Sequence, residues 1–249
     1  MTPELFCQHY PYLFHMAEAD TWESIKRYGL LSTSAILDLL RITGKERKNI
    51  ESSCRKDYVS LEDKQYGKFL IRDNGPLPLA KLKASLIDMT PEQFYEELNE
   101  KVFFWPTKER VKGLLKARRY RKREHTVIKV KSELLLKHYQ TEVYLSRINS
   151  GSAIYQPTPR GRGTFVPFKE WPEDIGPRSG KLKEPIAEIA VRYSVDKITE
   201  IAIEVSEVHG PKLLKKVWNS GDTLGDTLNS GDTLLISESG DGRMINDGR

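Results

Sequence analysis

Apolar residues recur along this chain with two different periods. Trp22, Ile25 and Tyr28 have helical spacing, with Asp20 or Thr21 as the cap, Glu23 in the first turn and Gly29 as the stop. A second helix is predicted from Thr33 or Ser34 through SAILDLLRITG to Gly44. The charged, weakly periodic residues from Lys45 to Tyr66 read as a surface helix. Thr90-Pro91-Glu92-Gln93 is a helix start with proline at the first helical position. Thr107 to Ala117 reads as another helix with a basic outer face, and Ser132 opens a short one.

Between the helices the pattern turns extended. YLF before His15, KFLI before Arg72, KVFFW closed by Pro106, TVIKVK, EVYLSRI, IAEIAVRYS and ITEIAIEV are rich in β-branched and aromatic residues and predict strands. Val195 to Ile198 reads as a turn of helix or a bend. Tyr155 to Gly180, with PTPRGRGTF, is rich in Pro, Gly and Arg and reads as a long irregular loop, a type often tied to function. The C-terminus repeats NSGDTL, is acidic and lacks aromatics, which predicts disorder. With helices concentrated in the N-terminal half and many strands, the expected class is α+β. One domain is expected over residues 1–210, followed by a disordered acidic tail over 211–249.

Composition sharpens this picture. The 249 residues are 38% hydrophobic and 30% charged, enough for a core, and no run of about eighteen apolar residues suggests a membrane span. MTPELFCQHYPY lacks a basic start and an apolar run, so no secretory signal is expected. The two cysteines, Cys7 and Cys54, form neither a CxxC pair nor a disulfide framework, and a reducing, cytoplasmic setting is the default expectation. The net charge of +5 conceals an asymmetry: the residues from Asn219 onward carry −4 and the rest +9. Lys101 to Lys137 holds thirteen Lys or Arg against three Glu. This stripe suits nucleic acid or another polyanion, and it equally suits a solvated helix face.

No Walker loop, GxGxxG, HExxH or GxSxG motif is present, and the five histidines do not sit at metal-ligand spacing. What remains are polar residues at the ends of predicted strands: His15 after YLF, Arg72 after FLI, Asn149 and Ser150 after SRI, and Glu188 inside IAEIAV. A carboxylate flanked by apolar residues on a buried strand costs several kcal/mol if ionised and unpaired, so Glu188 needs a partner or a cleft. Each has a plainer account beside this one. His15 as a hydrogen-bonded structural histidine and Glu188 on the solvent face of an edge strand fit the pattern too.

Taken in order, LFH, the helix closed by Gly-Leu, VFFW, and AEIAV followed by ITEIAIEV resemble the DarT group of ADP-ribosyltransferases. The chain also looks like a bacterial family of unknown function sharing the course FHMAEA, VFFW, NSG, PRG. The resemblance spans roughly residues 10 to 208 and implies an ADP-ribosyltransferase-like split, mixed β-sheet core. It implies NAD as substrate and no metal. His15 would bind the nicotinamide-side ribose, Glu188 would stabilise the positive charge developing at the anomeric carbon, and Arg72 would contact phosphate or substrate. Phe103, Phe104 or Trp105 would wall the nicotinamide pocket, with Asn149 alongside. With a protein or a small molecule as open alternatives, the acceptor could be DNA or RNA on account of the basic stripe. Arg118, Arg119, Arg121 and Arg123, and Arg160 and Arg162 in the PRGRG loop, would hold its backbone. Ala17 replaces the hydroxyl residue that follows the family's histidine by two positions, and Phe-Phe-Trp stands where relatives often carry a tyrosine. A nucleic-acid-binding module on the same fold, without catalysis, is the competing expectation. No membrane partner is expected, and the sequence names no cognate regulator or antitoxin.

Overall fold

A computed structural model of the chain describes residues 1–153, 158–172 and 186–223. Helix α1 (Pro3–His9), with Thr2 Oγ1 accepting from Leu5 N, leads into strand β1 (Tyr12–Glu18). Helix α2 (Trp22–Tyr28) stops at Gly29, where φ is 79°, and a short strand β2 (Leu30–Leu31) follows. Thr21 starts α2 without a side-chain cap, since its hydroxyl donates to Glu18 O instead.

Helix α3 (Thr33–Leu39) is capped by Ser32 and ends well before Gly44. Arg41 breaks the run with a positive φ of 56°, and Gly44 becomes the first residue of α4 (Gly44–Glu51). The surface helix expected over Lys45–Tyr66 therefore persists only to Glu51. Beyond it, β3 (Val59–Asp63) and β4 (Gly67–Ile71) form a hairpin. The turn explains the difference: Asp63 Oδ1 accepts from Gln65 N and Tyr66 N, and Gly67 adopts a φ of 81°.

Helices α5 (Leu79–Ser85) and α6 (Pro91–Asn99) precede β5 (Lys101–Phe104). The α6 start falls where expected, with Pro91 at the first helical position, and the structure adds a capping box in which Thr90 and Gln93 satisfy each other's backbone N–H groups. Then come α7 (Lys108–Lys116), capped by Thr107, β6 (Glu124–Lys131), α8 (Ser132–Tyr139) and β7 (Val143–Ser146). Within the segment expected to be one irregular loop, β8 (Val166–Pro167) pairs with β7, and Phe165, Phe168 and Trp171 are buried. The chain continues with β9 (Glu188–Arg192), β10 (Ser194–Val195), α9 (Ile198–Ile201), β11 (Ala202–His209) and β12 (Lys212–Asn219). The expected strand ITEIAIEV is thus one helical turn followed by a strand.

The protein is a mixed α+β fold. One four-stranded sheet has the order β1-β6-β11-β12 and a second the order β5-β9-β7-β8, while β2 with β10 and β3 with β4 form two smaller sheets. Every strand pair among the described residues is antiparallel. This corrects the expectation of a mixed sheet. Strand β12 also corrects the expected boundary at residue 210: Glu204 to His209 draw Lys212–Asn219 into the first sheet, so the domain extends past it. Residues 224–249, where most of the acidic tail was expected, lie outside the described residues. Phe14 and Trp105 join the two four-stranded sheets by reciprocal backbone hydrogen bonds of 3.0 and 2.8 Å. The largest core lies at this junction and includes Leu13, Phe104, Ile128, Ile189 and Val205.

Candidate functional site

His15 lies in the middle of β1, opposite Ile128 of β6, and not at a strand end as the sequence predicts. Strand alternation puts it on the face of Leu13 and Ala17, toward the largest core, with its ring 5.6 Å from that of Phe104. His15 Nδ1 is 2.8 Å from Phe103 O. A carbonyl only accepts, so Nδ1 carries the proton and donates, which leaves Nε2 of the neutral ring as an acceptor. Burial pushes the imidazole down to about 4, and the positive charge of Arg72 acts the same way against the opposing Phe103 carbonyl. At neutral pH the ring is uncharged.

His15 opens on a cavity of about 300 Å³ between β1, α2, β2, the β3–β4 hairpin and the free edge of β5. Ala17, Tyr28, Arg72, Phe103 and Trp105 also line it. The cleft thus brings together four of the residues selected from sequence: His15, Arg72, Phe103 and Trp105. Phe104 is a correction. It is fully buried in the core behind the wall, because adjacent strand residues face opposite ways and Phe103 and Trp105 take the cleft side. Arg72 is already engaged, donating from Nε to Glu18 Oε1 at 2.6 Å. Glu18 was not singled out from sequence, since at the end of an alternating strand it resembles any solvent-facing acid.

Glu188 begins β9 opposite Ser146 of β7, one residue beyond the Ile189–Phe104 pair. Alternation places it on the face of Ala190, away from the core that Ile189 enters, and it is not among the residues lining the cleft. It is buried as its apolar neighbours predicted, at 5% exposure, and it has a partner. Ser150 donates to Glu188 Oε2 from Oγ at 2.6 Å and from N at 3.0 Å. Burial raises the carboxyl above its ordinary range, while the two Ser150 bonds and the charges of Arg110 and Arg160 pull it back. Asn149, expected at the cofactor, is exposed on the turn, and its neighbour Ser150 makes the contacts. The only sequence signal for Ser150 was its place next to Asn149 after a strand.

The arginines separate. Arg118, Arg119 and Arg123 line a second groove of about 570 Å³ with Lys56, Asp57, Tyr58 and Asp73. Arg119 pairs with buried Asp73, and the Arg123 guanidinium lies 4.1 Å above the Tyr58 ring. Arg121 is exposed outside this groove. Arg160 corrects the expected nucleic-acid contact: it is 2% exposed and donates to Ser85 Oγ at 3.1 Å and Ser152 O at 3.0 Å, so it ties the PRG segment to the body. Arg162 is exposed, its backbone N–H donating to Asp88.

Fold and site define a mixed α+β protein with a histidine-lined cleft where two antiparallel sheets meet. The chain belongs to a family of unknown function (DUF7002), whose model matches residues 11–202. No curated protein matches it. Among the described residues no helix is long and apolar enough to cross a membrane.

Proposed function

We propose that this protein is an NAD-dependent ADP-ribosyltransferase of DarT-like fold, with the His15 cleft holding the nicotinamide end of NAD. The observation that carries the reading is the neutral His15 ring, anchored through Nδ1 to Phe103 O and presenting a hydrogen-bond acceptor beside the cleft. A ribose hydroxyl is a donor that suits Nε2, and Phe103 and Trp105 offer apolar surface for the nicotinamide ring. Departing nicotinamide takes the electrons of its glycosidic bond and leaves a cationic anomeric carbon. An acceptor nucleophile then attacks that carbon and loses its proton. On this reading Glu188 supplies negative charge to this centre in its ionised form. It lies on the other face of β9, bound to Ser150, so the role requires that Ser150 release it when NAD binds. Nucleic acid is the proposed acceptor, on account of the exposed cations outside the arginine–aspartate groove, Arg121, Lys122 and Arg162.

The test is transfer from labelled NAD by the full chain. Glu188→Gln keeps an acceptor for Ser150 and is expected to abolish transfer while leaving the fold intact. Stabilisation by NAD is expected to vanish in His15→Ala. No thermal shift at millimolar NAD would remove the reading. One observation favours a second reading, a nucleic-acid-binding module without catalysis: Glu188 is held by Ser150 and does not line the cleft. Salt-sensitive binding of DNA or RNA without any response to NAD would select it.

A further inference from the structure

The groove beyond the Glu18–Arg72 pair is built from three separate stretches of chain. Lys56, Asp57 and Tyr58 precede β3, Asp73 follows β4, and Arg118, Arg119 and Arg123 come from the turn between α7 and β6. Its lining carries four cations against two aspartates. Lys56 and Arg118 are exposed. Arg119 is pre-oriented by Asp73, whose side chain is 1% exposed and whose Oδ1 also accepts from Gly75 N at 2.9 Å. Gly75 makes room for this, since a Cβ there would fall 2.5 Å from Arg119 Nη2. Arg123 lies over Tyr58 and reaches Glu18 only at 3.7 Å.

A surface that tracks a nucleic-acid backbone is expected to be evenly basic, and this one is not. Arg121 and Arg162 lie outside the groove, and Asp57 and Asp73 sit within it. Fixed guanidinium forks recognise a phosphate group in two-point fashion, whereas aspartates in the same groove accept from hydroxyl or amino groups and repel a second phosphate. Asp73 Oδ2 and Tyr58 Oη are both buried without a hydrogen-bond partner among the described residues, so the floor holds unused polar capacity. A cavity of this size matches a small ligand. We infer that the groove is a binding site for a small phosphate monoester that carries hydroxyl or amino donors beside its phosphate, the chemistry shared by nucleotides and sugar phosphates.

Calorimetric titration of the full chain with adenosine 5′-monophosphate, ribose 5-phosphate, adenosine and an unphosphorylated oligonucleotide tests this. Both phosphate monoesters are expected to bind saturably and adenosine not to bind. Equal affinities identify a sugar phosphate, and tighter binding of the nucleotide identifies the base as part of the ligand. Arg118→Gln combined with Arg123→Gln, both on exposed side chains, is expected to weaken binding about tenfold or more. His15→Ala is expected to leave it unchanged, which separates this site from the NAD reading. Binding of adenosine as tight as that of its phosphate, preference for the oligonucleotide, an unaffected arginine variant, or no binding at millimolar concentrations would each overturn the inference.

Discussion

His15 Nδ1 and the Phe103 carbonyl oxygen, 88 residues apart in sequence, meet at 2.8 Å where β1 passes the free edge of β5. This bond fixes the tautomer, and burial fixes the charge. The His15 ring is therefore expected to titrate near pH 4 in the native protein, against about 6.5 for an unperturbed histidine. Because the folded-state value lies below the unfolded one, the stability linked to this group is complete above about pH 6.5. It is lost as pH falls toward 4, by up to about 3 kcal/mol. Buried His125, also pushed down, contributes with the same sign. NMR titration of the ring protons checks the claim, and a His15 midpoint near 6.5 would contradict it.

Phe104 and Trp105 are adjacent and are expected to behave oppositely. Phe104→Ala empties fully buried core volume and is expected to cost about 3–5 kcal/mol in urea unfolding. Trp105→Ala touches a cleft wall, so a smaller stability loss with weakened NAD binding is expected. Equal stability losses would show that the cleft wall is drawn wrongly.

Gly29 and Gly67 both have positive φ, but their surroundings differ. A Cβ on Gly29 would come within 2.6 Å of Asp196 Cα and 2.7 Å of Val195 O, against the β2–β10 pair. Gly67 has open space around it. Gly67→Ala is expected to cost about 1–2 kcal/mol, the backbone strain alone. Gly29→Ala is expected to cost clearly more, since its contacts are backbone atoms that cannot rotate away. Comparison of the two unfolding midpoints decides this.

Arg160→Ala removes a buried guanidinium that satisfies Ser85 and Ser152, with an expected loss of about 1–3 kcal/mol. Arg162→Ala, at an exposed position, is expected to stay within about 0.5 kcal/mol. Thermal melts of both variants suffice, and similar shifts would contradict the structural role given to Arg160.

Much of the fold was legible because it is written locally. The Thr90-Pro91 helix start, the Gly29 stop and the apolar strands β5, β6 and β9 depend on neighbours a few residues away. Strand β12 was not legible. KLLKKVWN has a charged, largely exposed face and becomes a strand through its pairing with β11. Strand β4 was read from KFLI, but its hairpin with β3 was hidden because the turn is set by Asp63 and Gly67 within a charged stretch that resembles a helix surface.

The candidate site divides the same way. Residue types and local apolar context were enough to single out His15, Arg72 and Glu188, and they left open whether Glu188 has a partner, meets a cleft or faces solvent. Trp105 came from the family resemblance. Tertiary structure alone decided that His15 is held by Phe103, that Arg72 is paired with Glu18, that Ser150 holds Glu188, and that three of the arginines share a groove with two aspartates. Local pattern records which side of an element is apolar. Hydrogen bonds, charge and desolvation act between chain segments that only sheet pairing brings within a few ångströms, so the partner of a buried polar group is a property of the packed fold.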